Sequence, residues 1–199
     1  MTQEAFTLTQ DALTQDAFTF LQTRQSHPAK LFKGAVPERA ELLEILAAAT
    51  RVPDHGKLEP WRLVVLDRAA MLRLADLAEA RARAIGADDE KIAKGRGQFD
   101  LGQLAVVVVS SPKASDKIPQ SEQMLSAGAL CFGVLNAALA KGWGANWLSG
   151  WPSHDPVFAA QAFGCVGDET VAGIVHIGTV VTPISDRPRP DLAKLITWA

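Results

Sequence analysis

One connection organises this sequence: Val52-Pro53-Asp54-His55-Gly56-Lys57-Leu58-Glu59-Pro60-Trp61-Arg62. It separates a helix-like apolar segment, residues 42–50, from a strand-like apolar segment, residues 63–66. Within it lie two prolines, a glycine, a histidine and a tryptophan. Proline fixes the backbone, and glycine lets another backbone or a ligand come close. Taken alone, this composition favours an ordinary surface turn over a binding loop.

Hydrophobic periodicity around that connection predicts helices and strands in mixed succession. Helices are predicted at residues 15–24, from 37 onward, at 71–85, at 120–141 and at 155–163. Residues 88–102 are more polar and are predicted to form either an exposed helix or a mobile cover. Strands are predicted at residues 63–66, 104–109, 143–148 and 171–178. Because the order lacks the regular βαβ alternation of a doubly wound sheet, an α+β layer fold is expected.

The composition indicates a globular chain with one domain. Of its 199 residues 48% are hydrophobic and 21% charged, and the net charge of −2 gives no electrostatic reason to expect nucleic acid or an anionic membrane as a partner. Residues 1–22 are predicted to be an N-terminal arm with the start of the first helix, and residues 23–199 a single domain. No signal peptide is predicted, and the apolar part of residues 123–140 is shorter than the ~20 residues of a membrane span. A cytoplasmic protein with a buried helix at this position is expected.

Several common chemistries do not match the sequence. Cys131 and Cys165 form no CxxC pair, and the four histidines show no ligand spacing, so no metal site is predicted. His176 lies in an apolar strand pattern, which favours a core histidine with satisfied hydrogen bonds. Gly142-x-Gly144 follows a helix rather than a strand, which is the wrong order for a dinucleotide-binding turn. Ser149 lacks the flanking glycines of a hydrolase elbow.

A second group of residues could hold an anion. Arg24, Ser26 and Lys30 combine a guanidinium fork, a hydroxyl and an ammonium group, which are good phosphate donors. A solvated basic turn is the alternative, and it is favoured when these residues are considered alone. Together with the loops near residues 55 and 148 and a basic tail, they suggest an anionic, flat and partly apolar ligand. The residues by themselves do not name a reaction.

Six short motifs, taken in order, resemble the nitroreductase family. They are Arg24-x-Ser26, Pro53-Asp54-His55-Gly56 with Pro60-Trp61-Arg62, Pro119-x-x-Glu122-Gln123, Gly142-x-Gly144-x-x-Trp147-x-Ser149-Gly150, Ile177-Gly178-Thr179 and Arg187-Pro188-Arg189-Pro190. The resemblance is greatest to a small NAD(P)H nitroreductase subgroup that carries a Pro-Asp-His signature. It extends from about Thr23 to Trp198.

This resemblance implies a nitroreductase-like α+β fold with a central, mostly antiparallel sheet flanked by helices. It implies an intertwined homodimer with two FMN sites at the subunit interface. NAD(P)H would reduce FMN, and reduced FMN would pass electrons to a small nitro, quinone or similar acceptor. The flavin carries the hydride chemistry, so the resemblance demands no catalytic acid or base from the protein.

The resemblance also implies which residues bind the cofactor. Arg24, Gln25 and Ser26 would hold the phosphate and ribityl chain, and Arg187 and Arg189 of the tail would complete the phosphate site. Arg51 and His55 would reach the flavin from the other subunit. Trp147, Leu148 and Ser149 would lie along the cofactor. Residues 137–142 lie where the subgroup places the nicotinamide cofactor.

Two positions depart from the family pattern. Gln25 stands where the family often has arginine, and Leu148 stands where it sometimes has arginine; both changes remove a positive charge near the phosphate. Two alternatives therefore stay open: a flavin-binding protein with little turnover, and an FMN-dependent enzyme of biosynthetic oxidation or flavin breakdown.

Overall fold

A four-stranded antiparallel sheet with helices on both faces forms the centre of the protein, as the computed structural model of residues 16–182 and 184–199 shows. The strands are β1 (Trp61–Leu66), β2 (Leu104–Ser110), β3 (Gly144–Leu148) and β4 (Thr170–Gly178). The helices are α1 (16–23), α2 (Arg39–Ala49), α3 (Arg68–Ala84), α4 (Asp89–Asp100), α5 (Gln120–Ala140), α6 (Trp151–His154) and α7 (Pro156–Phe163). The strand order is β1-β2-β4-β3, and every neighbouring pair is antiparallel. The predicted α+β fold is confirmed, whereas most of the N-terminal arm lies outside the described residues.

Strand β2 separates two hydrophobic cores. All seven of its residues are buried, because successive side chains point to opposite faces of the sheet. Val106 and Val108 join a core with α2 and α5, while Val107 and Val109 join a core with α3, α4 and α7. This arrangement explains why β2 appears in the sequence as a continuous apolar run rather than an alternating one.

Helix α4 is more deeply buried than its polar sequence predicts. Phe99 is fully buried, and its ring centroid lies 5.5 Å from that of Phe158 on α7. The Asp88 carboxylate accepts a hydrogen bond from Lys91 N at 2.8 Å and caps the helix. The expectation of an exposed helix or a mobile cover is therefore corrected: α4 is anchored through its C-terminal turn.

Helix α5 is the central helix of the first core. By length and composition alone it could cross a membrane, but Ala127, Leu130 and Val134 are fully buried in the core. Gly133 lets α2 approach closely, since a Cβ there would lie 2.6 Å from Ala49 O. Gly142, with φ +87°, follows the helix and ends it as predicted.

His176 on β4 occupies the core, but its predicted hydrogen bonds are not found. Its ring is fully buried, and neither nitrogen has a partner among the described residues. Burial lowers the pKa of His176 to about 4. The ring is therefore neutral at pH 7, and protonating it would place an uncompensated charge in the core.

A bidentate ion pair joins β1 to the segment that precedes β4. Arg62 Nε and Nη2 donate to the two carboxylate oxygens of Glu169 at 2.9 and 2.8 Å, and Nη2 also donates to Phe163 O at 3.0 Å. The Arg62 guanidinium and burial shift the pKa of Glu169 in opposite senses; the guanidinium dominates and lowers it to about 2. The pair therefore stabilises the fold fully above pH 4.5, and this contribution is lost as the pH falls toward 2.

Replacing Glu169 with glutamine is expected to lower the free energy of unfolding by about 2 kcal/mol at pH 7, because Arg62 loses its charged partner in a partly buried site. Denaturant unfolding at a fixed protein concentration measures the change. The matched control is Glu44→Gln, which breaks the solvent-exposed pair with Lys141 and is expected to change little. Equal effects of the two substitutions would contradict the structural role of the Arg62–Glu169 pair.

Candidate functional site

The predicted basic residues from the two ends of the domain meet at one cavity. Its volume is about 180 Å³. Its walls come from residues 24–26 and from the tail, and its lining residues are Arg24, Gln25, Ser26, Ile184, Ser185, Asp186, Arg187 and Arg189. The cavity thus brings together five predicted site residues. Arg24, Gln25 and Ser26 form one group, and Arg187 and Arg189 follow more than 160 positions later in the chain.

Arg24 lies in this cavity with unused hydrogen-bonding capacity. Its Nη2 donates to Ser26 Oγ at 2.9 Å, while its Nε is shielded from solvent without a partner among the described residues. The guanidinium lies 5.9 Å from the ring centroid of Phe132 on α5. Burial, and secondarily the positive charge of Arg189, lower the pKa of Arg24. An anion in the cavity would offset both effects.

Arg189 connects the tail to the first helix. Its Nη1 donates to Asp186 Oδ1 at 2.9 Å, and its Nη2 donates to Gln22 O at 2.9 Å. Asp186 brings the only negative charge among the lining residues, against the three arginines. The cavity therefore carries an excess of positive charge, and this donor set suits a phosphate group.

Strand β3 holds His27, which directly follows residues 24–26, in place. His27 N donates to Ala145 O at 3.1 Å, and Asn146 Nδ2 donates to His27 O at 2.9 Å. These bonds run along an edge strand of the sheet, where backbone groups are otherwise free to pair. They place the segment that contains Arg24 and Ser26 beside β3, the strand that contains Trp147.

Three further predicted site residues lie elsewhere: Trp147 and Leu148 at the end of β3, and Ser149 directly after it. Leu148 and Ser149 line a second, larger cavity of about 510 Å³ that also has walls from α4. Trp147 instead covers the backbone of Gly173 on β4, where a Cβ would collide with the indole ring. In the part of the chain that the structure describes, Leu148 and Ser149 thus line a different cavity from Arg24.

The Pro-Asp-His connection is a fixed and strained loop. Both carboxylate oxygens of Asp54 accept backbone hydrogen bonds, from Leu58 N at 3.1 Å and from Glu59 N at 2.9 Å. Gly56, Lys57 and Glu59 have φ values of +69°, +54° and +46°. Non-glycine residues seldom adopt this conformation, and it persists where surrounding contacts enforce it.

Helix α5 supplies contacts that enforce this conformation. Ser126 Oγ donates to Pro53 O at 2.7 Å and accepts from Trp61 Nε1 at 3.2 Å. One turn earlier, Glu122 Oε1 lies 2.8 Å from His55 Nδ1. The His55 side chain is nevertheless 59% exposed, so it remains available to another molecule. Arg51 lies beyond the C-terminus of α2 and is exposed as well.

Asp186 and Gln98 are among the lining residues of these cavities that sequence reasoning missed. Asp186 partly neutralises the positive charge of the cavity lined by Arg24, Arg187 and Arg189, and no sequence pattern identified it as a site residue. Gln98 is buried between α4 and Gly150. A signal for it existed, since Gly95 and Gly97 interrupt a helical pattern, and glycines in helices often mark close packing.

Comparison with known proteins identifies the family to which the chain belongs. The model of the Nitroreductase family matches residues 21–179. "Putative NAD(P)H nitroreductase YdjA" of Escherichia coli strain K12 is 34% identical over 184 residues, which cover 92% of this chain and 99% of that protein. "Putative NAD(P)H nitroreductase" of Haemophilus influenzae is 34% identical over 166 residues, which cover 82% of this chain and 88% of that protein. The crystal structure of a nitroreductase-like family protein from Bacillus cereus has a TM-score of 0.72 at 22% identity, covering 90% of this chain and 94% of that one.

The fold and the family match together define an oxidoreductase. This chain belongs to the nitroreductase family, as the resemblance of its motifs predicted.

Proposed function

We propose that this protein is a cytoplasmic, homodimeric, FMN-dependent oxidoreductase. Electrons from NADH or NADPH pass through FMN to a small nitro, quinone or similar acceptor. The observation that carries this proposal is the cavity where Arg24, Ser26, Arg187 and Arg189 converge. An arginine-rich cavity in a chain of this family supports a site for the phosphate of FMN.

The residues of the cavity fit that phosphate. The unpartnered Nε of Arg24 offers a donor to one oxygen, and the Arg187 and Arg189 side chains line the other wall. Three guanidinium groups beside one carboxylate supply the charge that a phosphate dianion needs, even though Gln25 stands where the family often has a further arginine. FMN, when bound, supplies the hydride and electron transfer; the protein's own residues hold and orient it and exclude water.

An open apolar surface supports the homodimer. Leu125 and Phe132 on α5 are 74% and 44% exposed, and they lie on the same helix face as Gly128, which has open space beside it. Trp198 in the tail is 90% exposed. Apolar groups of this size are usually covered by another surface. A second copy packed on this face would also let Arg51 and His55 reach a flavin held by the first.

The proposal is tested by purifying the protein and recording its visible absorption, followed by anaerobic addition of NADH or NADPH. We expect a bound or readily added flavin that loses its visible absorption on addition of one of the two nicotinamide cofactors. Menadione or a nitroarene added afterwards should restore the oxidised spectrum.

Each failure of that experiment has a separate meaning. Flavin that binds but is not reduced by either cofactor would contradict the reductase and favour a flavin-binding protein with little turnover. Flavin that is reduced but passes no electrons to menadione or a nitroarene would favour a dedicated biosynthetic oxidation. A protein without affinity for FMN would contradict the whole proposal.

A further inference from the structure

We infer that Glu122 is a positioning residue that fixes the tautomer of His55, so that His55 offers its Nε2 atom as a hydrogen-bond acceptor to an N–H or O–H group of the flavin held by the other subunit. The inference deepens the proposed function and rests on it. Glu122 acts through His55 and need not touch the flavin itself.

The contact between these two side chains sets which ring nitrogen carries the proton. Glu122 Oε1 lies 2.8 Å from His55 Nδ1, within the distance of a charge-assisted hydrogen bond. A carboxylate can only accept, so Nδ1 must be the donor in this pair. A neutral imidazole has a single N–H, and Nε2 of neutral His55 is therefore left with a lone pair and acts as an acceptor.

The Nε2 atom is available to another molecule. It makes no hydrogen bond with residues 16–182 or 184–199, and the His55 side chain is 59% exposed. Within the same residues Glu122 forms no ion pair with a lysine or an arginine, so no other cation competes with His55 for its carboxylate. The pair thus presents one nitrogen outward and holds the other.

Both side chains project from backbone that is already fixed. The Asp54 carboxylate accepts two hydrogen bonds from the backbone of the loop that carries His55. Glu122 lies in the first turn of α5, and Ser126 of the same helix donates to Pro53 O at 2.7 Å. The separation of loop and helix is therefore set by other contacts, and Glu122 selects only the orientation and tautomer of the ring.

The pair lies at one end of the exposed α5 face proposed for the homodimer. Leu125 follows Glu122 by three positions and Phe132 follows it by ten, so these side chains lie on one side of the helix. Arg24 lies beside the Phe132 ring, with 5.9 Å between its guanidinium carbon and the ring centroid. A two-fold axis that crosses this face at right angles, between Glu122 and Phe132, would bring His55 of one copy toward the Arg24 cavity of the other.

An acceptor nitrogen at this place selects among the groups of a flavin. The ring carries an N–H at position 3 and the ribityl chain carries hydroxyls, and these groups can donate to Nε2. The phosphate and the ring carbonyls are acceptors, and they gain nothing from a second acceptor. His55 is therefore assigned to the ring N–H or the ribityl chain and not to the phosphate.

The first measurement records which nitrogen of His55 is protonated. Long-range ¹H–¹⁵N spectra of protein with ¹⁵N-labelled histidine distinguish protonated from unprotonated ring nitrogens at alkaline pH, where imidazole is neutral. We expect a protonated Nδ1 in wild type and a protonated Nε2 in Glu122→Ala, and His55→Ala identifies the signals. Asp89→Ala removes a charge from the first turn of α4 and should leave them unchanged. The same tautomer in wild type and Glu122→Ala would overturn the inference.

A double-mutant cycle on FMN binding separates positioning from a merely structural role of Glu122. Glu122→Ala is expected to raise the Kd for FMN about 3- to 10-fold in the wild-type background and less than about twofold in the His55→Ala background. Asp89→Ala should leave the Kd within about twofold. Equal effects of Glu122→Ala in both backgrounds, or an unchanged Kd in His55→Ala, would overturn the inference.

FMN methylated at ring N3 separates the two donors. If binding of this analogue no longer depends on Glu122, His55 meets the ring N–H; if the dependence persists, it meets a ribityl hydroxyl. Both results support the inference. A wild type without affinity for FMN would overturn the proposed function and the flavin as the ligand of His55, whereas the nitrogen spectra would still show whether Glu122 sets the tautomer.

Discussion

Replacing Arg24 with alanine is expected to raise the Kd for FMN by roughly 10- to 100-fold, the largest effect on ligand binding that the structure predicts. A hydrogen bond between charged groups contributes about 1.5–3 kcal/mol, and Arg24 Nε has no partner among residues 16–182 and 184–199. Its Ser26 contact would be lost as well. Fluorescence titration of flavin-free protein with FMN measures the change.

The controls separate charge from geometry. Arg73→Ala removes the same charge from an exposed position on α3 and should leave the Kd within about twofold. Arg24→Lys keeps the charge but not the planar fork, so its Kd should fall between wild type and Arg24→Ala. An unchanged Kd in Arg24→Ala would mean that the phosphate binds elsewhere. Riboflavin, which has no phosphate, should bind wild type and Arg24→Ala equally well.

Acid sensitivity of the fold is the second large effect, and His176 is its expected source. The pKa of His176 is lowered from 6.5 to about 4 in the folded protein, so the unfolded chain takes up this proton first. Above pH 6.5 the His176 ring is neutral in both states, and the free energy of unfolding has its full value. As the pH falls from 6.5 toward 4, the unfolded state binds the proton and the free energy of unfolding decreases. The loss amounts to about 3 kcal/mol over that range.

His176→Leu should abolish this part of the pH dependence, because leucine fills a similar volume and binds no proton. At pH 7 the variant should be at least as stable as wild type, since two buried nitrogens without partners are removed. Denaturant unfolding at pH 7 and pH 4.5, at fixed protein concentration and ionic strength, gives the comparison. His154→Gln, at an exposed position, should retain the wild-type acid sensitivity. Parallel pH curves for wild type and His176→Leu would contradict this role for His176.

Local patterns predicted the sheet well. The six-residue apolar run of β2 gave the clearest strand prediction, and Gly142 marked the end of α5 by the usual helix-ending chemistry. The burial of α4 was not predictable in this way. Phe99 is buried because it packs against Phe158 and Phe163, which lie about sixty residues later in the chain. Helical periodicity within α4 carries no information about that contact.

The two cavities differ in how far the sequence revealed them. Arg24 and Ser26 looked like anion ligands by residue type, yet only the family resemblance joined them to Arg187 and Arg189 across most of the chain. For Gln98 the flanking glycines Gly95 and Gly97 indicated at most close packing, and a lone glutamine in a polar helix is usually solvated. Its burial and its unpartnered nitrogen are properties of packing and became visible only in three dimensions.

The loop of residues 52–62 has a consequence for the thermodynamics of recognition. Asp54 and Ser126 fix its path, and Ile118 packs so closely over Gly56 that a Cβ there would lie 2.7 Å from its Cδ1. The left-handed residues Lys57 and Glu59 are thus held in place before any other molecule arrives. The conformational entropy of ordering this loop is lost when the chain folds and not when another molecule docks against it. A molecule that docks on this loop therefore binds with little further loss of the loop's conformational entropy.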